Sequence, residues 1–153
     1  EYSRLVYNYL NSLCMNSDIA EELTQETFYK AVKGINKFNN ECKISTWLCK
    51  IAKNTWLDFL RKEKNQKLIS IDDEKYNINI LSQNSLDNLM EDKDDIIMLY
   101  KYIHTLDEAT KEVFYLRLKG ELSFKNIAEI LGKSENWAKL IFCRGKAKLK
   151  TNY

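Results

Sequence analysis

Apolar residues recur along this chain every three or four positions, the spacing of helices and not of strands. Tyr2, Leu5, Val6, Tyr9 and Leu13 predict a first helix over residues 2–14. Asn16 and Ser17 break the pattern, and Asp18 with Glu21 three residues on reads as a capping pair opening a second helix. Phe28, Ala31, Val32 and Ile35 follow at i, i+3, i+4 and i+7, the expected core-facing stripe of that helix. A turn is expected at Asn39-Asn40. The third helix opens near Ser45-Thr46 and ends about Lys62, with Trp47, Leu48, Ile51, Ala52 and Phe59 towards a core. Lys50, Lys53, Asn54 and Arg61 share another side of it, because steps of 3, 4, 7 and 11 keep residues on one helical face. Trp47 is expected in the core, and Trp56 is left open between core and surface.

From residue 63 to about 93 the pattern dissolves into Asn, Ser, Asp and Lys, which predicts a linker. Periodicity resumes at Ile96, Tyr100 and Ile103. A helix over 107–119 stops at Gly120, a second covers 124–131, Gly132 makes a turn, and a third covers 134–150. Proline is absent and there are four glycines, too little punctuation for strands and tight turns. The expected fold is therefore all-α. With 153 residues the chain can hold two small domains, placed at 1–62 and 94–153 with a flexible linker at 63–93.

The last two helices carry a more specific pattern. Ile127, Ala128, Leu131 and Gly132, followed by Ser134, Ala138 and Phe142, reproduce the spacing of a DNA-binding helix-turn-helix. Ala128 must be small where the helices cross, Gly132 permits a left-handed turn, and Ser134 can cap the second helix. Ala138, Phe142 and Leu149 then point inward, which leaves Lys139, Leu140, Cys143 and Arg144 for a groove. A plain helical hairpin with a solvated basic face shares some of these features.

Charge sharpens the reading. The net charge is only +2, but after Glu135 the chain has Lys139, Arg144, Lys146, Lys148 and Lys150 and no acid. Between Asp72 and Asp95 eight acids face two lysines. A basic end and an acidic middle suit a DNA-touching module joined to a linker. Cys14, Cys42, Cys49 and Cys143 include no CxxC pair and His104 stands alone, so neither a metal site nor a disulfide framework is expected. The four thiols are expected to be reduced and mostly packed.

Two blocks resemble a known family. Asp18 to Phe28, Phe38, Glu41, Ser45 to Asn54 and Asp58 to Arg61 resemble region two of the extracytoplasmic-function (ECF) sigma factors of bacterial RNA polymerase. The stretch Leu106 to Leu149, with Leu122-Ser-Phe-Lys-Asn-Ile-Ala-Glu-Ile-Leu-Gly132, is similar to region four. The resemblance implies a region-two helical bundle and a region-four helix-turn-helix. It implies core-polymerase contacts at Glu22, Leu23, Gln25 and Glu26, made to the clamp coiled coil, with the flap as a second polymerase contact. It implies minus-ten contacts at Asn39, Lys43, Ser45, Lys50, Lys53, Asn54 and Arg61. Minus-thirty-five contacts fall on Ser134, Lys139, Leu140, Cys143, Arg144, Lys146 and Lys148. Where the family often has Gly-Thr-Val-Lys-Ser-Arg, this chain has Asn136-Trp-Ala-Lys-Leu-Ile141, so an arginine of that face is missing.

The implied protein is not an enzyme, needs no cofactor or metal and takes no small-molecule substrate. Its partners are core polymerase, promoter DNA and an anti-sigma factor, and its place is the cytoplasm, held at the membrane where the anti-sigma factor is membrane-bound. Two other readings remain open on the sequence: an operator-binding regulator, and a helical adaptor that no longer binds DNA. Nothing supports catalysis, since there is no glycine-rich phosphate loop and no nucleophile beside a histidine.

Overall fold

The computed structural model of the protein describes residues 2–69, 103 and 105–151, with the backbone alone at 67–69 and 149–151. Every regular element among these residues is helical, in agreement with the sequence. The chain divides into two compact units, Glu1–Ser82 and Gln83–Tyr153.

The first unit holds α1 (Ser3–Cys14), α2 (Ser17–Gly34), a 3-10 turn (Ile35–Lys37) and α3 (Ile44–Ile69), the three helices each packing on the other two. Met15 closes α1 in the left-handed region, φ 53°, and the chain turns at once into α2. The cap of α2 differs from the expected pair. Asn16 Oδ1 accepts from the N–H groups of Asp18 and Ile19 at 3.0 and 3.1 Å, so Asn16 satisfies the orphan donors and Asp18 lies inside the helix.

The buried face of α2 also differs from the expected stripe. Val32 is 72% exposed and Ile35 is exposed, Phe28 is half-buried, and Ala31 alone of the four is in the core. Ala20, Leu23, Thr24 and Thr27 complete the inner face. Three of the threonines enter this core because their hydroxyls find partners within their own helices. Thr24, Thr27 and Thr55 donate to the carbonyls of Ala20, Leu23 and Ile51 at 2.6, 2.7 and 2.9 Å, leaving a methyl to pack. Thr46, Leu48, Cys49, Ala52 and Thr55 are the buried residues of α3, while Trp47 leans on Phe38 at 5.0 Å between ring centres and is half-buried.

Helix α3 runs to Ile69, past the expected end at Lys62, so residues 63–69 of the expected linker are helical. Glu63 is half-buried and 64–66 are exposed, so over 63–66 helix propensity rather than an apolar face carries the extension. The rest of the expected linker, 70–93, and the periodicity at Ile96 and Tyr100 lie outside the described residues.

The second unit comprises α4 (Glu108–Leu118), α5 (Phe124–Leu131) and α6 (Glu135–Thr151). Capping explains the boundaries. Asp107 takes the Thr110 hydroxyl at 2.7 Å and the Thr110 N–H at 3.1 Å, bonds that hold its carboxyl below the usual range. Ser123 accepts from the Asn126 N–H at 3.2 Å, and Ser134 from the Trp137 N–H at 3.1 Å. Gly132 adopts φ 63° between α5 and α6, the left-handed turn anticipated for it.

Ile103, Leu106, Val113, Phe114, Leu116, Leu122, Ile127, Ala128, Ile130 and Ala138 form the core. The Phe142 ring lies 4.7 Å from Phe114 and 5.4 Å from Phe124. Gly145 is what lets α6 lie this close to α4. A methyl group added there would sit 2.9 Å from both Phe114 Cζ and Thr110 Cγ2, and Phe114 is fully enclosed. In a free helix Gly→Ala stabilises by about 1 kcal/mol. Here Gly145→Ala should instead destabilise the second unit by about 1–3 kcal/mol, because a packed core resists an extra carbon. Faster amide exchange in α4 and α6, with α1–α3 unchanged, is the expected measurement.

Candidate nucleic-acid interfaces

In the first unit, α3 turns one side to the bundle and the other to solvent. Lys50, Asn54, Leu57, Arg61 and Lys64 recur along the outer side, with Lys53 half-buried at its margin. Arg61 is tied at 3.0 Å to Asp58 Oδ1, while Asp58 Oδ2 is 3.4 Å from Lys30 Nζ. Lys30 also reaches Glu26 at 3.0 Å and the Thr55 hydroxyl at 3.3 Å, so it bolts α2 to α3. These exposed pairs are weak and leave Arg61 able to exchange its partner for a phosphate.

The loop before α3 presents Asn39 and Lys43 in the open, with Ser45 half-buried at the helix start. Asn39 Oδ1 accepts from the Glu41 N–H at 3.4 Å, and Asn40 takes φ 59°, which turns the chain. Trp56 is half-buried and stacked on Phe59 at 5.6 Å, on the side of Cys49 and Ala52, which favours a packing role for it.

On α2, Glu22 and Gln25 are exposed and Glu26 is half-buried in its pair with Lys30. Leu23 is a correction. It was expected to contribute apolar contact to a partner, but it is 2% exposed and belongs to the bundle core. The apolar surface next to the acids lies instead one and two turns further along. Tyr29 is 60% exposed and Val32 72%, with Lys33 Nζ 4.4 Å from the Tyr29 ring centre. The spacing 22, 25, 29, 32 was the signal in the sequence, masked by the assignment of Val32 to the core. A shallow groove lined by Ser3, Arg4, Tyr7, Glu21, Thr24 and Gln25 borders this side.

In the second unit, α6 exposes Leu140, Cys143 and Arg144 on the side away from buried Ala138 and Gly145, with Lys139, Lys146 and Lys148 exposed along its margins and Lys148 lending its charge to Asp107. Glu135 pairs with Lys139 at 2.8 Å in the first turns of the helix. Ser134 is exposed, and its hydroxyl oxygen is committed to the cap. Phe142 and Trp137 are half-buried, covered by Lys146 and Lys133 at 5.8 Å from the respective ring centres. Gly145 carries a signal that the sequence pattern alone leaves unread: an isolated glycine inside a helical pattern marks a close approach. Leu149 lies beyond the described side chains.

Residues 1–66 match the family model for sigma-70 region 2, and residues 96–149 that for sigma-70 region 4. Over 152 residues the chain is 30% identical to the ECF RNA polymerase sigma factor SigM of Bacillus subtilis, covering 99% of this chain and 90% of that protein. This chain belongs to the ECF sigma factors. It is also 32% identical over 139 residues to RNA polymerase sigma factor SigV of B. subtilis, covering 91% of this chain and 76% of that one. The fold is shared with the sigma factor RpoE of Bartonella quintana, solved with the anti-sigma factor NepR. The TM-score is 0.73, with 22% identity over 98% of this chain and 90% of that one.

The four thiols of this sigma factor form no disulfide and differ sharply in environment. Cys14 and Cys49 are buried, Cys42 is half-buried and Cys143 is open on α6. Burial pushes the Cys49 thiol up to about 12 and raises Cys14 too. At pH 8 a disulfide reagent should label Cys143 first and leave Cys49 untouched until the bundle unfolds, since only the thiolate reacts. Early labelling of Cys49 in folded protein would contradict the packing of α3.

Proposed function

We infer that this sigma factor binds core RNA polymerase through α2 and directs initiation at promoters read by α3 and α6. The observation that carries the reading is the outer side of α6. It combines a capped N-terminus, a glycine turn from α5 and an exposed basic surface without an acid after Glu135. A solvated helix face needs no such turn geometry, and a groove-reading helix does.

On α2, Glu22, Gln25 and Glu26 offer the acids and the amide for a basic coiled coil, and Tyr29 and Val32 supply the apolar area that Leu23 cannot. Complementary charge steers encounter and orientation, and the apolar neighbours provide burial. On α3 and its preceding loop, Lys43, Lys50, Lys53 and Arg61 offer a phosphate track. Asn39, Ser45 and Asn54 offer hydrogen-bonding groups for bases of the opened minus-ten element. On α6, Lys139, Arg144, Lys146 and Lys148 bracket the minus-thirty-five element, with phosphate contacts positioning and Arg144 specifying.

The minus-ten and polymerase unit reaches the end of α3 at Ile69, beyond the expected limit at 62, and the minus-thirty-five unit is assigned to 94–153. The intervening segment acts as a tether, and the polymerase flap holds the second unit. An anti-sigma factor is a further partner, supported by the Bartonella complex, and its natural target is the polymerase-facing side of α2. Chemistry remains with the polymerase, so the sigma factor needs no cofactor and works in the cytoplasm.

Run-off transcription with bacterial core polymerase on a library of promoter fragments tests this reading. Initiation at a defined set of sites only when the chain is added is the expected result. Active core without chain-dependent initiation, alongside specific duplex binding by the chain alone, would instead establish an operator-binding regulator. Arg144→Ala should weaken minus-thirty-five binding by about 1–3 kcal/mol and relax preference at one position. An unchanged preference in that variant would remove Arg144 from the reading face.

A further inference from the structure

The outward side of α6 is not uniformly basic. Asn136, Leu140, Cys143 and Ala147 recur at steps of four, three and four and form a stripe opposite Ala138 and Gly145. Lys139 and Lys146 flank the stripe on one side, Arg144 and Lys148 on the other. Leu140 stands in the middle and is 47% exposed. A scattered surface leucine needs no explanation, but this one lies between two rows of cations on a helix built to face a groove.

Lys139 and Lys146 suit phosphates on one wall of a major groove and Lys148 on the other, which places the stripe, with Arg144 at its edge, over base edges. Leu140 has no donor or acceptor for those edges. The apolar group that a base pair shows in the major groove is the 5-methyl of thymine. We propose that Leu140 is a specificity-determining residue of this sigma factor, packing on a thymine methyl in the minus-thirty-five element. The inference rests on the promoter-binding reading of α6 and deepens it by naming the group that is read.

The test uses the full chain with core polymerase on the promoters recovered by run-off transcription. Each minus-thirty-five thymine is replaced in turn by deoxyuridine, which removes the methyl and keeps the hydrogen-bonding pattern. At one position the wild-type holoenzyme should lose about fourfold in affinity, the value of burying one methyl-sized group. Leu140→Ala should bind the thymine promoter about fourfold more weakly and no longer distinguish it from the deoxyuridine one. Its helical content should be unchanged, because half the side chain is already in solvent.

Indifference of the wild type to deoxyuridine at every position, with promoter-specific initiation intact, overturns the methyl contact alone. The contact is overturned equally if Leu140→Ala keeps the discrimination, or if it weakens binding to core polymerase while leaving the discrimination in place. The last outcome would mark Leu140 as a protein contact. Failure to initiate at any promoter overturns the sigma reading and the methyl contact together.

Discussion

Gly145 has no room for a methyl group, and the arrangement of the second unit follows from that. A small helical unit has a thin core, so each helix must approach its neighbours closely to exclude water. The close approach is made by small residues on α5 and α6, Ala128, Ala138 and Gly145, and filled by the rings of Phe114, Phe124 and Phe142. Fixing the inner side of α6 fixes its outer side as well. Since Ala138 and Gly145 point at the core, Leu140, Cys143 and Arg144 have nowhere to point but solvent. The surface proposed to face DNA is thus a consequence of packing on the far side of the same helix.

The first unit meets the same constraint with different residues. Ala20, Ala31, Ala52 and Cys49 are small, and Thr24, Thr27 and Thr55 dispose of their hydroxyls on backbone carbonyls of their own helices. Such a core leaves little area for large side chains, and several remain at the surface. Tyr29 and Val32 are the clearest cases, next to the exposed acids of α2. Stability alone gives no reason to keep them there, whereas a docking face requires apolar area close to its charges.

These details explain what the sequence could and could not disclose. The helices among the described residues, the two units and the turn at Gly132 were legible because periodicity and capping are local. The end of α3 was not, since Lys64, Asn65 and Gln66 are exposed and carry no apolar rhythm. Val32 and Ile35 were misassigned because α2 buries threonines, and hydrophobic periodicity counts threonine as polar. Leu23 was placed on the surface for a related reason, as a family resemblance names a motif without saying which of its members face inward. On α6 the outer residues were legible, because Gly132, Ser134 and Ala138 set the helix phase and every outward position follows from it.

On the proposed promoter-binding reading, phase also governs how much specificity this chain can draw from α6. A bidentate arginine discriminates a base by about 1–3 kcal/mol, and a leucine against one methyl gives about 0.8 kcal/mol. Leu140 and Ile141 carry no donor or acceptor for base edges, so an α6 reading DNA would discriminate less than a helix with polar or basic side chains there. Affinity from the flanking lysines cannot restore it, because phosphate contacts are indifferent to sequence. The deficit must be met by a second element recognised in the same event. The proposed tether would supply that link: once one unit is bound, the other would meet DNA at a raised effective concentration, and two modest preferences would add in free energy. A weakly discriminating α6 is therefore consistent with selective initiation only while both units engage one promoter together.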